Sequence, residues 1–193
     1  MSEFASLPPD LPVPEDDGAA DHLPGAELPS LSLPVAGGGQ FDFRASEASG
    51  TLVAFVYPRT GTPGGKLPPG WDDIPGARGC TPQSCAFRDR HAALTRLGAT
   101  VVGISAMDPG EQAAFAEREE LPYPLLNDGP LALRDQLGLP TFDVHGTALY
   151  KRLTFVAQGG RIEKVFYPVF PPDANAEQVE AWLRGRVRPS PRG

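Results

Sequence analysis

Cysteine is nearly absent from these 193 residues: Cys80 and Cys85 are the only two. A disulfide framework is therefore excluded as the source of stability, and a cysteine-rich metal centre with it. The histidines, His22, His91 and His145, are scattered without ligand spacing, so no metal is expected. No window of 18 or more apolar residues occurs, and none is expected to span a membrane. The start, "MSEFASLPPDLPVPEDDGAADHLPG", lacks the basic beginning and apolar run of a signal peptide. The expected location is the cytoplasm, where thiols stay reduced, which argues against a static crosslink. Lys and Arg are missing from residues 1 to 43, which hold eight acidic residues. The remaining 16 acidic and 17 basic residues nearly cancel, leaving no basic stripe for nucleic acid. Internal repeats are absent too.

What is abundant is proline and glycine, 23 and 22 residues. The length suits one domain with a proper core. Residues 1–28, acidic and rich in Pro and Ala, are expected to be a disordered or loosely attached leader. Residues 29–187 form the expected domain and 188–193 a tail. "LSLPV", "GGGQ" and "FDF" read as an N-terminal hairpin, and "TLVAFVYP" (51–58) as a buried central strand ended by Pro58. Residues 59–79 are almost all turn formers and predict a long loop, with Trp71 as an anchor or a lid.

A helix is predicted over 82–97, with Thr81 as N-cap, Pro82 in the first turn and Gly98 as the stop. "ATVVGIS" is a second buried strand, and "DPGE" supplies an N-cap Asp, an N1 Pro and an N3 Glu for the next helix. A short strand "YPLLND", a short helix "PLALRDQLG", a hairpin "KRLTFVA–QGG–RIEKVFY" and a helix with Val179, Trp182, Leu183 and Val187 on one side complete the pattern. Strands alternating with helices indicate an α/β sheet covered on both faces.

The two thiols are not equivalent. At about 100° per residue, Cys80 projects within about 20° of Phe87 on the buried face that Phe87, His91 and Leu94 define. Cys85 falls about 140° away, beside Asp89, Ala92 and Arg96. A helix N-terminus offers free N–H groups and partial positive charge, which favour a thiolate at Cys80. This suggests an attacking sulfur and a second that answers it. In an intact helix the two Cα atoms lie roughly 8 to 9 Å apart, beyond the reach of about 7 Å that a disulfide allows. Bonding between them requires the first turns to unwind.

"GCTPQSCAFRD" resembles the "GCT-x-x-x-C-x-FRD" segment of the Q-type peroxiredoxins, the bacterioferritin-comigratory-protein group. "FVYP", "VVGISAMDPGEQAAFAERE" followed by "LPYPLLND", and "YKRLTFVAQGGRI" are similar to further segments of that family, in the same order. The resemblance covers most of residues 31–185. It implies a thioredoxin-like fold with a central mixed β-sheet and a thiol peroxidase activity on hydrogen peroxide or organic hydroperoxides. By position, Cys80 matches the peroxidatic cysteine, Cys85 the resolving cysteine, and Arg152 the arginine that holds thiolate and peroxide. Pro58 and Thr62 match the family's Pro-x-x-x-Thr, with Arg152 completing the substrate-binding set.

The family's threonine stands three residues before its cysteine; here that position is Ala77 and Cys80 follows Thr62 by 18 residues, an insertion of 15. Loop 64–78 is accordingly expected to bulge out and return, leaving Thr62 near Cys80. Gln83 stands where the family has Glu. Lys151 competes with Arg152 if the strand register slips by one, and Thr60 competes with Thr62 in the same way.

The expected chemistry is attack of Cys80 on the peroxide, condensation of the sulfenic acid with Cys85, and reduction of the disulfide by an external dithiol, thioredoxin in the first instance. No cofactor is expected, and with no third thiol to link subunits, a monomer. The alternative from another class is a thiol-switch redox sensor or partner-binding protein on the same fold.

Overall fold

The computed structural model describes residues 7–46, 50–62 and 64–186. Expectations for residues 1–6, for Val187 and for the tail 188–193 lie outside them. A five-stranded mixed sheet forms the centre, in the order β5 (Leu125–Asn127), β4 (Ala99–Ser105), β3 (Thr51–Val56), β8 (Leu153–Gln158), β9 (Arg161–Phe166). β3 runs parallel to β4, and β4 to β5; β8 is antiparallel to β3 and β9. Two-residue alternation along β3 divides the core. Leu52, Ala54 and Val56 face one apolar cluster, and Val53, Phe55 and Tyr57 face the other.

The second cluster is covered by α2 (Cys80–Arg96), α3 (Pro109–Arg118) and α5 (Asn175–Arg186), through Phe87, Leu94, Phe115, Val179 and Leu183. The first is covered by α4 (Ala132–Leu137), through Leu133 and Leu137, and by the N-terminal segment. Beneath α2 the rings of Phe55 and Phe87 stack at 4.5 Å. Gly103 on β4 permits this approach, since a Cβ there would lie 2.7 Å from Phe55. The N-terminal hairpin consists of β1 (Ser32–Pro34) and β2 (Gln40–Asp42), followed by the single-turn α1 (Phe43–Ser46).

The leader departs from expectation. Ala20, Leu23 and Leu28 are buried in the core, and residues 25–28 pair with the β8–β9 turn: Gly25 N donates to Ile162 O, Leu28 N to Gly160 O, and Ile162 N to Ala26 O. The start of the unpaired edge of β9 is thereby covered, while Val35 bridges Leu126 at the opposite edge on β5. Further out, the Asp17 carboxylate accepts from Lys151 Nζ at 2.5 Å and Tyr167 Oη at 2.7 Å. The bond from Lys151, then that from Tyr167, holds Asp17 well below the usual carboxylate range. A low-hydrophobicity composition misreads this segment because a few well-placed apolar side chains suffice once the sheet edge supplies backbone partners. Leu23→Ala is expected to cost about 2–5 kcal/mol, read as a shift in urea midpoint; an unchanged midpoint would contradict a packed leader.

Two further differences bear on the site. Helix α2 begins at Cys80, not at Pro82, and its N-cap is Gly79 (φ +102°), not Thr81. Pro82 is accommodated at the third helical position because the first N–H groups of a helix have no intrahelical acceptor. A hairpin not read from the sequence, β6 (Thr141–Val144) with β7 (Thr147–Tyr150), turns at His145 and Gly146, both at positive φ. Against it lies the long loop: Trp71 and Ala77 pack with Val144 and Leu149, joined by Leu67, Ile74 and Phe142. Trp71 therefore anchors the insertion to a partner that the sequence reading did not contain.

Candidate active site

Cys80 opens α2 and is buried; Cys85 lies one and a half turns on and is half-buried; both are free thiols. Gly79 places Cys80 in this tight spot, because a Cβ at residue 79 would lie 2.4 Å from Pro172 and 2.9 Å from Leu7. The Cys80 sulfur accepts from Arg152 Nη2 at 3.1 Å. The same nitrogen approaches the carbonyls of Gly76 and Ala77 at 3.2 Å and of Arg78 at 3.1 Å, which end the insertion. Arg152 Nη1 donates to Gln83 Oε1 at 2.5 Å. Gln83 donates onward to Asn175 Oδ1 at 3.0 Å, which also accepts from Thr154 Oγ1 at 2.6 Å. Arg152 is thus a buried hub joining the thiol, the returning loop and the first turn of α2 (3% exposed).

Of the paired alternatives, Arg152 reaches the sulfur and Lys151 does not, its ammonium being engaged with Asp17. Thr62 requires correction. It is exposed and donates to Glu111 Oε1 at 3.4 Å, on the first turn of α3, which also takes Arg59 at 3.3 Å. Thr60, its competitor, is buried and lines the small cavity beside Cys80, with Trp71 and Leu67 from the insertion on the same wall. Glu111 thus engages both Arg59 and Thr62 at the start of α3, and Thr62 is not among the described residues lining the cavity. Pro58 is buried with its carbonyl taken by Ser105 Oγ at 2.8 Å; it shapes the chain after β3 and is not among the described residues lining the cavity. Tyr57, buried under Cys80, is pushed above the usual phenol range chiefly by desolvation, while a hydrogen bond from Gln112 opposes it. It stays neutral, in the apolar cluster that it shares with Cys80.

Cys85 donates to Glu119 Oε2 at 3.7 Å, between α2 and the end of α3. Burial pushes its thiol up; the Arg88 charge opposes this and the Glu119 carboxylate adds to it. The folded helix therefore stores Cys85 protonated. In Cys80→Ser, the pH midpoint for alkylation of Cys85 is expected above that of an ordinary thiol, and Glu119→Gln should move it down, since a negative neighbour is removed. A midpoint that stays or rises would contradict this. Asn175, Thr154 and Glu119 have no local sequence signal that links them to the thiols; each arrives through tertiary contact.

Among the described residues no cluster of three or more His, Cys, Asp or Glu is arranged for a metal ion, and no helix is long and apolar enough to cross a membrane. What the site does contain is a thiol at a helix start gripped by a permanent cation, and a second thiol on the same helix.

Comparison with known proteins identifies the family. The Redoxin family model matches residues 23–181. The chloroplastic peroxiredoxin Q of Gentiana triflora is 31% identical over 133 residues, 69% of this chain and 54% of that protein. That of Arabidopsis thaliana is 33% identical over 133 residues, 68% and 54%. The chain thus spans about half the length of the curated relatives it matches. The crystal structure of peroxidoxin BcpB from Mycobacterium tuberculosis superposes with a TM-score of 0.70 at 30% identity, covering 86% of this chain and 99% of that one. Peroxiredoxin Q of Xanthomonas campestris, at 24% identity and a TM-score of 0.67, shares the fold over 84% of this chain and 97% of its own. The chain belongs to the redoxin family, in its Q-type peroxiredoxin group.

Proposed function

We propose that the protein is a thiol-dependent peroxidase using Cys80 and Cys85. The observation that carries this reading is the Arg152 guanidinium 3.1 Å from the Cys80 sulfur at the first residue of α2. The Cys80 thiolate attacks one peroxide oxygen and the O–O bond breaks. The leaving oxygen departs with the bond's electron pair and takes a proton as water or an alcohol, and Cys80 becomes a sulfenic acid. Arg152 holds the thiolate and the charge that develops on the leaving oxygen. Thr60, which lines the cavity and whose hydroxyl donates to Met107 Sδ at 3.6 Å, takes in this reading the peroxide-orienting role expected of Thr62, through its free lone pairs or by turning its hydroxyl to the substrate.

Cys85 then displaces water from the sulfenic sulfur. With Cα atoms roughly 8 to 9 Å apart in an intact helix, this step needs Gln83 and Ser84 to leave their buried positions. The resulting disulfide is reduced by a dithiol of the thioredoxin kind, which takes the oxidised state while both cysteines return to thiols. Function as a monomer in a reducing compartment such as the cytoplasm fits a pair that resolves within one chain.

A thiol switch is the second reading. It is favoured by a shared contact: the Arg152 nitrogen beside the Cys80 sulfur also approaches the Gly76, Ala77 and Arg78 carbonyls, which couples the thiol to the end of the insertion. Turnover separates the two. With thioredoxin, its reductase and NADPH, a peroxidase consumes many equivalents of peroxide per chain. Consumption that stops at one equivalent would overturn the peroxidase in favour of the switch.

A further inference from the structure

Beside Cys80 lies a half-open cavity of about 10 Å³, lined by Thr60 and Thr81 and, from the insertion, by Leu67, Trp71, Ala77 and Arg78; Leu67 and Trp71 are the large apolar side chains among them. That is about the space of one water-sized molecule. Hydrogen peroxide, with two oxygens and no carbon, needs only a small give in such a site, whereas a bulky alkyl or aryl group carried on the same peroxide presses against its lining. The wall is not soft. Trp71 is buried to 3% exposure, with the Phe142 ring 6.3 Å away and Val144 and Leu149 in the same apolar cluster. A roomier cavity of about 300 Å³ sits on the other side of the returning loop, lined by Pro75, Phe142 and Arg152, but Cys80 is not among its described lining residues. The segment Gly76–Arg78, fastened to Arg152 by its carbonyls, separates the two spaces.

We propose that the inserted loop makes the Cys80 site selective for hydrogen peroxide over bulky organic hydroperoxides, with Leu67 and Trp71 as the excluding residues. This rests on the peroxidase reading and adds a substrate class to it. The chemistry is the same for either substrate: sulfur takes one oxygen, the O–O bond breaks, and the leaving oxygen takes a proton, giving water from hydrogen peroxide or an alcohol from a hydroperoxide. Only the fit differs.

The test compares kcat/KM for hydrogen peroxide and cumene hydroperoxide in wild type, Leu67→Ala, Trp71→Ala and Trp71→Phe, with one dithiol system throughout. Wild type is expected to prefer hydrogen peroxide by at least about tenfold. Leu67→Ala and Trp71→Ala should each narrow that preference by about tenfold through a gain towards cumene hydroperoxide, and Trp71→Phe should keep it. Leu67, half-buried at the wall, serves as the variant least able to disturb the loop anchor. Equal use of both peroxides by wild type would overturn the proposal. So would alanine variants that lose both activities in parallel with the ratio unchanged. Wild type that turns over neither peroxide would instead sink the peroxidase reading itself, a result distinct from a ratio near one.

Discussion

Cys80→Ser is expected to abolish dithiol-supported peroxide consumption, a loss of at least about 10⁴-fold, because a hydroxyl at this position cannot serve as the nucleophile. Cys85→Ser should fail differently. Its Cys80 remains against Arg152, so the first oxidation proceeds at near wild-type rate, but no disulfide follows and turnover with thioredoxin stops after one equivalent. Excess peroxide should then drive Cys80 on to the sulfinic acid, visible as a gain of two oxygens. Stopped-flow oxidation and the coupled assay distinguish the two phenotypes. If Cys85→Ser kept full thioredoxin-supported turnover, the resolving role would be wrong, and activity retained in Cys80→Ser would remove the site altogether. Serine is nearly isosteric with cysteine, so neither change is expected to disturb the packing of α2.

Arg152→Leu is expected to slow oxidation of Cys80 by about 10² to 10³-fold, the scale on which a preorganised charged donor acts on developing negative charge. The loss has two sources that can be separated. One is the missing cation beside the sulfur. The other is the loss of the contacts that this one side chain makes to Gln83 Oε1 and to the Gly76, Ala77 and Arg78 carbonyls. Arg152→Lys keeps the charge but not the planar fork that reaches Cys80 and Gln83 together. It should retain the fold better than Leu while recovering only part of the rate. Second-order rate constants read beside thermal midpoints test this: a rate within a few-fold of wild type in both variants would show that Arg152 only supports structure.

Much of this was legible in the sequence, for physical reasons. β3 and β4 are continuous apolar runs because both faces of the central sheet are buried. The start of α3 was readable because Asp108, Pro109 and Glu111 are local capping chemistry; Asp108 Oδ1 does accept from Gly110 and Glu111 N. The inequality of the thiols followed from helical periodicity. The rest was hidden where partners are distant. Lys151 and Arg152 are adjacent cations that look alike until Asp17, from the far end of the chain, takes the first. Thr60 and Thr62 are told apart only by tertiary partners: Thr60 is buried with its hydroxyl on Met107, and Thr62 is exposed and donates to Glu111. The leader was misread because composition averages over Leu23 and Leu28, two of the side chains that fasten it. The β6–β7 hairpin turns on His-Gly, a weaker signal than Asn-Gly, and without it the long loop had no visible support.

The proposed cycle turns on one event: two thiols that are too far apart on a formed helix become bonded to each other during the reaction. Intact mass spectrometry with peptide mapping, after one equivalent of hydrogen peroxide and without reductant, reads it directly. The expected product is a loss of two hydrogens and a crosslinked Cys80–Cys85 peptide, absent from both serine variants. A persistent gain of one oxygen in the wild-type chain, or a disulfide that joins two chains, would contradict it.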